Sequence, residues 1–260
     1  MPARASALGT WYEEHGRHEL PWRATRDRWA VLVSEVMLHQ TQVPRVAAVY
    51  ADFLGRFPTP EAMAAAGPGA VITAWGRLGY PRRARRLHDA ACVIATEGWP
   101  DDLAALPGIG RYTAFAIEAQ VDDRDVVGIE VNIRRVLQRV AGHTLSDRAA
   151  EGEARTVAGS LRGRDRLLAL MDLGATVCRA RDPRCDECPL RPRCVTRGVL
   201  AGETRVRQGS FEGSFRQRRG RVLAALRAGA APIAALDRAA LDSLVADGLA
   251  VVAGGVATLP

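Results

Sequence analysis

Apolar positions along most of the chain recur every three or four residues, the spacing of amphipathic helices, and strict alternation is scarce. Trp29, Leu32, Val33, Val36 and Met37 fall on one such face, and Asp27 just ahead of them has the side chain to cap a helix start. The same periodicity predicts helices over Val43–Phe57, Pro68–Leu78, Arg82–Thr96, Arg111–Gln120, Asn132–Ala141, Glu151–Leu161 and Arg166–Cys178. Strand signals are nearly absent before residue 245, so the pattern predicts an all-α body. From Ala201 to Phe215 the chain turns polar and glycine-bearing, which reads as a linker. Beyond it come helices near Gln217–Ala228 and Leu236–Asp247, then a hairpin turning at Gly254-Gly255. Two helices and a hairpin predict a small winged-helix-like unit over 216–260.

Composition narrows the class. The 260 residues are 48% hydrophobic, enough to bury one large core or two modest ones. No run of eighteen apolar residues is present, so no membrane span is predicted. Met1–Thr10 has no apolar stretch behind a basic one, and a cytoplasmic protein is expected. The formal charge is +7, and all 36 basic residues are arginine. Arginine's planar fork suits phosphate, although a GC-rich genome produces the same bias. The missing lysine bears on chemistry. Schiff-base formation with a sugar aldehyde needs an amine, and here only the N-terminus supplies one.

Cys178, Cys185, Cys188 and Cys194 have the spacing C-x6-C-x2-C-x5-C. A zinc ribbon joins two C-x2-C knuckles, and this segment has one. Disulfides are not expected in a cytosolic chain. A [4Fe–4S] cluster held by four thiolates is the better fit. Arg179, Arg181 and Arg184 lie between the first two cysteines, with Arg191 and Arg193 close by, either gripping a phosphate backbone or as ordinary solvated charges. Cys92, at an apolar helical position, reads as core.

Leu106-Pro107-Gly108-Ile109-Gly110-Arg111 reads as a tight glycine turn opening a helix near Tyr112. Glycines allow close backbone approach, and the first N–H groups of a helix hold phosphate. With a helix expected to end at Leu-Pro, this predicts a helix-hairpin-helix that binds the DNA backbone without reading sequence. Gly108, Gly110 and Arg111 are its DNA-binding residues.

From about residue 11 to 196 the chain resembles adenine-DNA glycosylases of the MutY type. The resemblance is carried by Leu20-Pro21-Trp22-Arg23, Ser34–Val43, Leu78-Gly79-Tyr80, Leu106–Ala114, Val131–Leu137, Met171–Ala175 and the cysteine spacing. It implies a two-lobed helical fold with duplex DNA between the lobes. The bounds are 1–26 with 131–200 for the cluster-bearing lobe and 27–130 for the inserted lobe, joined by the 201–215 linker to the 216–260 module. It also implies a monomeric enzyme that flips adenine opposite 8-oxoguanine and cleaves its glycosidic bond, which stacked DNA hides.

That chemistry needs two acids. One must protonate a ring nitrogen of the leaving adenine, and a second, ionised, must stabilise the oxocarbenium-like sugar. The resemblance makes Glu35 the acid, although by periodicity Glu35 lies off the apolar stripe and reads as a solvent-face residue. Glu130-Val131-Asn132-Ile133 departs from the family, which has aspartate where this chain has Glu130, so either Glu130 serves as the second acid or it only favours a helix start. Tyr112 stands where related endonuclease III enzymes carry their lysine. Tyr112 and Asn132 would orient water or the second acid, and no strand cleavage is expected.

By the same resemblance Gln40, Thr41 and Leu78 probe beside the opposite base, and Tyr80 is an intercalating or pocket aromatic. Trp22, Arg23, Leu38 and His39 belong to the substrate pocket. His39 replaces the family's glutamine. Protonated, it would favour ionised Glu35; alternatively it contacts a different base or is a plain surface substitution. Residues 216–260 are too short for the Nudix-like domain that family members commonly carry. Two other readings stay open: a paralogue removing another base, such as thymine or uracil opposite guanine, and a non-catalytic iron–sulfur DNA-binding protein.

Overall fold

The computed structural model describes residues 6–203 and 209–260. Expectations touching 1–5 and 204–208, including part of the 201–215 linker and the start of the cluster-bearing lobe, lie outside the described residues. Helices dominate: α1 (Ala7–His15), α2 (Arg28–Leu38), α3 (Val43–Arg56), α4 (Pro60–Trp75), α5 (Arg82–Glu97), α6 (Arg111–Val121), α7 (Val131–Ala141), α8 (Asp147–Ala158), α9 (Gly163–Thr176), α10 (Phe215–Ala228) and α11 (Arg238–Ala246). Short strands β1 (Ala231–Pro232), β2 (Val251–Ala253) and β3 (Val256–Thr258) form an antiparallel sheet in the order β1-β3-β2. No helix among the described residues is long and apolar enough to cross a membrane.

Most helix ends obey local capping chemistry. Asp27 accepts from the Ala30 N–H at 2.7 Å, as its place before the apolar run predicts. Ser6, Thr59, Ser146, Ser214 and Asp237 cap α1, α4, α8, α10 and α11 in the same way. Three features had no prediction. One is α1, whose Leu8, Trp11 and Tyr12 are spaced helically among small residues. Another is the first half of α4, which breaks at Gly67 (φ 78°) ahead of Pro68. The third is β1.

The described chain falls into two compact units. Residues 6–31 and 110–203 form the first, and 32–109 with 209–260 form the second. The sequence reading ended the inserted lobe at 130 and set 216–260 apart. In the structure 110–130 groups with the first unit and the C-terminal module with the second.

In the first unit, α1, α6, α7 and α8 surround α9. Leu167, Leu168, Leu170 and Leu173 are buried on several sides of α9, as a central helix requires. In the second unit, α4 and α5 pack against each other. The C-terminal module is bonded onto them: Arg227 Nε donates to the Ile72 carbonyl at 3.1 Å and Arg85 Nη1 to the Gly248 carbonyl at 2.9 Å. The Pro260 carbonyl packs so tightly on Gly69 that a Cβ there would lie 2.6 Å away.

Candidate functional site

The second unit holds Glu35 on α2. Trp29, Val31, Leu32, Val33, Val36 and Met37 are all buried, so the helix is enclosed on every side rather than on one stripe. Glu35 is only 4% exposed, which corrects the solvent-face expectation. From half-buried Leu38, the last residue of α2, the chain turns through half-buried His39 to exposed Gln40 and half-buried Thr41. Burial pulls the His39 imidazole below its ordinary pKa, and the Arg83 charge adds to this, so the ring is neutral at neutral pH. A cationic His39 beside Glu35 is therefore disfavoured.

A second turn, 78–80, lies against the first through the Thr41 hydroxyl, which donates to the Leu78 carbonyl at 3.1 Å. The Leu78 side chain is buried, whereas Tyr80 is 44% exposed. Gln40 (φ 56°) and Tyr80 (φ 46°) both hold left-handed backbone without being glycine. Such strain concentrates at sites where surrounding structure imposes it.

Leu106 and Ile109 are buried and anchor the glycine turn, closed by a 3.1 Å bond from the Ile109 N–H to the Leu106 carbonyl. A single 3-10 turn, Leu103–Ala105, precedes it where a longer helix was expected. Gly108 adopts φ 78°, and a Cβ there would meet the Arg86 side chain at 2.7 Å, so both conformation and space require glycine. Gly110 starts α6 without a side-chain cap. Arg111 is exposed, its guanidinium 5.1 Å from the Phe115 ring centroid.

In the first unit, half-buried Glu130 caps α7 through both carboxylate oxygens. Oε2 accepts from the Asn132 N–H (2.8 Å) and Asn132 Nδ2 (2.9 Å), and Oε1 accepts from the Ile133 N–H (2.8 Å). Burial pushes the Glu130 carboxyl above the usual glutamate range, against these donors and the Arg135 charge. Arg135, not singled out in the sequence, holds Asn132 Oδ1 at 2.8 Å and the carbonyls of Gly174 (2.7 Å) and Cys178 (2.8 Å). At Gly174 α9 lies close against the start of α7: a Cβ there would lie 2.9 Å from Asn132. Tyr112, on the first turn of α6, donates to the Met171 sulfur at 3.5 Å and packs on Gly128.

Trp22 is 2% exposed. Arg23 Nη2 reaches the fully buried Asp172 at 2.9 Å, alongside Arg17 at 2.6 Å. The Arg23 Nη1 atom is buried with no partner among the described residues, a donor open to an acceptor.

Cys178, Cys185, Cys188 and Cys194 line one cavity together with Arg139, Arg184, Arg191 and Arg197. Arg139 Nη1 lies 3.6 Å from the Cys178 sulfur, and the Arg197 N–H donates to that of Cys194 at 3.4 Å. Burial raises the Cys178 thiol and pushes Cys188 up to about 11. No three acidic, thiol or imidazole side chains among the described residues are gathered as they would be around a single metal ion. Of the loop arginines, Arg179 bonds the Asp182 carbonyl at 2.8 Å and Arg184 pairs with Glu187 at 3.4 Å, while Arg181 is exposed. Cys92, expected in the core, is half-buried on α5, its sulfur 3.8 Å from the His88 ring.

Residues 33–157 match the HhH-GPD superfamily of base excision DNA repair proteins. An adenine DNA glycosylase of Mycolicibacterium smegmatis is 42% identical over 268 residues, covering 93% of this chain and 90% of that protein. The human adenine DNA glycosylase is 35% identical over 82% of this chain, which spans 43% of it. Among solved structures, a thermostable thymine-DNA glycosylase superposes with a TM-score of 0.67 at 26% identity, over 74% of this chain and 93% of that one. The match to the mycobacterial protein runs nearly the length of both chains, and on that extent of shared sequence this chain belongs to the adenine DNA glycosylase family of helix-hairpin-helix base excision repair proteins.

Proposed function

We propose that the chain is a monofunctional, monomeric DNA glycosylase that hydrolyses the glycosidic bond of adenine mispaired with 8-oxoguanine or guanine in duplex DNA. The observation that carries this is the burial of Glu35, only 4% exposed, on α2. A carboxyl shielded from water is suited to deliver a proton to the leaving base. Glu130, accepting three hydrogen bonds, is the negative charge that stabilises the electron-poor sugar. Asn132 orients that carboxylate, and Tyr112 shapes the adjoining space. Trp22, Arg23, Leu38 and His39 contact the base. Gln40, Thr41, Leu78 and Tyr80 face the opposite base. Gly108, Gly110, Arg111 and the arginines at 179, 181 and 184 hold backbone phosphates. With no lysine in the chain, water attacks the sugar and no Schiff base forms.

The four cysteines fit a [4Fe–4S] cluster better than zinc. A zinc ribbon brings together two C-x2-C knuckles, and this segment has one; the four cysteines line one cavity beside cationic Arg139. A bound cluster would displace the thiol protons and tie down the loop that carries Arg179, Arg181 and Arg184. Cys188→Ser is expected to lower iron and acid-labile sulfide content and to weaken duplex binding at least tenfold. Full iron content, or zinc in place of iron in the wild type, would contradict this assignment.

The acid side of the pH profile follows from Glu130. The group must be ionised to act, and burial raises its pKa, so the ionised fraction falls at a higher pH than for an exposed glutamate. The single-turnover rate should drop on acidification in step with one proton, above the ordinary glutamate range. A rate flat through that range would remove Glu130 from the mechanism.

The deciding experiment is base release from duplexes holding A opposite 8-oxoguanine, A opposite G, and T or U opposite G, with alkali to reveal abasic sites. Release confined to adenine, and no cleavage without alkali, is expected. The likeness to a thymine-DNA glycosylase and the glutamate at 130 favour a second reading, removal of T or U opposite G, which activity on those duplexes alone would establish.

A further inference from the structure

Arg83, on the first turn of α5, ties together the two strained turns that carry Gln40 and Tyr80. Its Nη1 donates to the carbonyls of Val36 (2.7 Å) and Met37 (3.0 Å), in the last turn of α2, where helix carbonyls lack intrahelical partners. Its Nη2 donates to Thr41 Oγ1 (2.8 Å) in the first turn and to the Gly79 carbonyl (3.1 Å) in the second. The guanidinium also lies 5.2 Å from the Trp75 ring centroid and 5.4 Å from that of Tyr80. One planar group therefore meets four acceptors and two aromatic faces. Lysine, a compact point charge, cannot reproduce that set. Arg83 Nε is meanwhile buried with no partner among the described residues, which is unfavourable for stability and points to a role beyond packing.

We propose that Arg83 is a positioning residue that locks the 38–41 and 78–80 turns into one rigid reader of the base opposite the excised one. The proposal rests on the reading above that these turns face that base. Without the clasp, Gln40 and Tyr80 have less to hold them in left-handed backbone, and the side chains that sense the opposite base lose a common frame. Base release itself does not pass through Arg83.

The test compares wild type, Arg83→Met and Arg83→Lys in single-turnover release of adenine opposite 8-oxoguanine, guanine and a stable abasic analogue, with thermal melting as the folding check. The abasic partner offers nothing to read. Arg83→Met is expected to reduce the preference for 8-oxoguanine over the abasic partner at least tenfold, and Arg83→Lys to recover only part of it. An equal fall on all three duplexes, or full recovery by lysine, would show that Arg83 supplies only stability or charge and would overturn the proposal. If Arg83→Met does not fold, Arg83→Lys decides alone: a preference reduced at least threefold supports the clasp, and an unchanged preference refutes it. Should the wild type release no adenine, the functional reading fails separately. The clasp is then judged by fluorescence anisotropy of the same duplexes, where the opposite-base preference in binding should still shrink in the lysine variant and its persistence would refute the idea.

Discussion

Glu35→Gln is expected to release adenine about a hundred to ten thousand times more slowly than the wild type, the usual contribution of a positioned general acid. Duplex binding should stay within about threefold, because glutamine matches the volume of glutamate and Glu35 is not assigned to the phosphate contacts. The size of the effect follows from enclosure. With Val31, Leu32, Val33, Val36 and Met37 all buried on the same helix, bulk water has little access to replace the missing proton donor. The melting temperature should hold, since the substitution introduces no buried charge. Single-turnover kinetics with a gel-shift control separate the outcomes. Excision within tenfold of wild type would mean that the proton comes from another group.

Glu130 should show the next largest loss, with a different signature. Glu130→Gln removes the charge that offsets the developing positive sugar, worth about a hundred- to a thousandfold in comparable electrostatic sites. It also breaks the cap. The carboxylate accepts on both oxygens, and an amide accepts on one only, so at least one N–H donor at the start of α7 is left facing another donor. An orphaned donor costs about 1–3 kcal/mol, so Glu130→Gln should lower both rate and melting temperature, unlike Glu35→Gln. Glu130→Asp keeps the charge and a good cap residue, and it places there the residue that the sequence resemblance implies. It is expected to hold or raise activity on adenine. A loss of a hundredfold or more would show that the surrounding pocket is built around the longer side chain, since a shift of about 1 Å can have that effect.

Much of the fold was legible because it depends on local rules. The helical periodicity, the Asp27 cap, the glycine turn at 108 and the terminal hairpin are set by residues close together in sequence. The α1 helix was overlooked because it is short, nine residues, and carries only three large apolar ones. Pro68 marked the start of only half of α4, since a glycine at φ 78° lets two helical segments follow one another. The cysteine spacing indicated one shared centre; in the structure the four cysteines line one cavity, without three ligand-type side chains gathered at one point among the described residues.

The residues that matter for the site divide along the same line. Identity and spacing alone gave the absence of a lysine, the glycine turn and the four cysteines, because these are matters of chemical type and short-range spacing, while the candidate acids at 35 and 130 came from the family resemblance. The environment of each group depended on partners distant in sequence. Periodicity placed Glu35 on a solvent face, but it is only 4% exposed, the burial that the proposed acid role needs. His39 loses its charge to burial and to Arg83, 44 positions further on. Arg135 bridges Asn132 to carbonyls 39 and 43 residues away, and Arg83 bonds carbonyls 46 and 47 residues back. Burial and long-range hydrogen bonds are sums over neighbours that only the folded chain brings together, so the sequence supplies the candidate groups and the packing around them sets their charge and position.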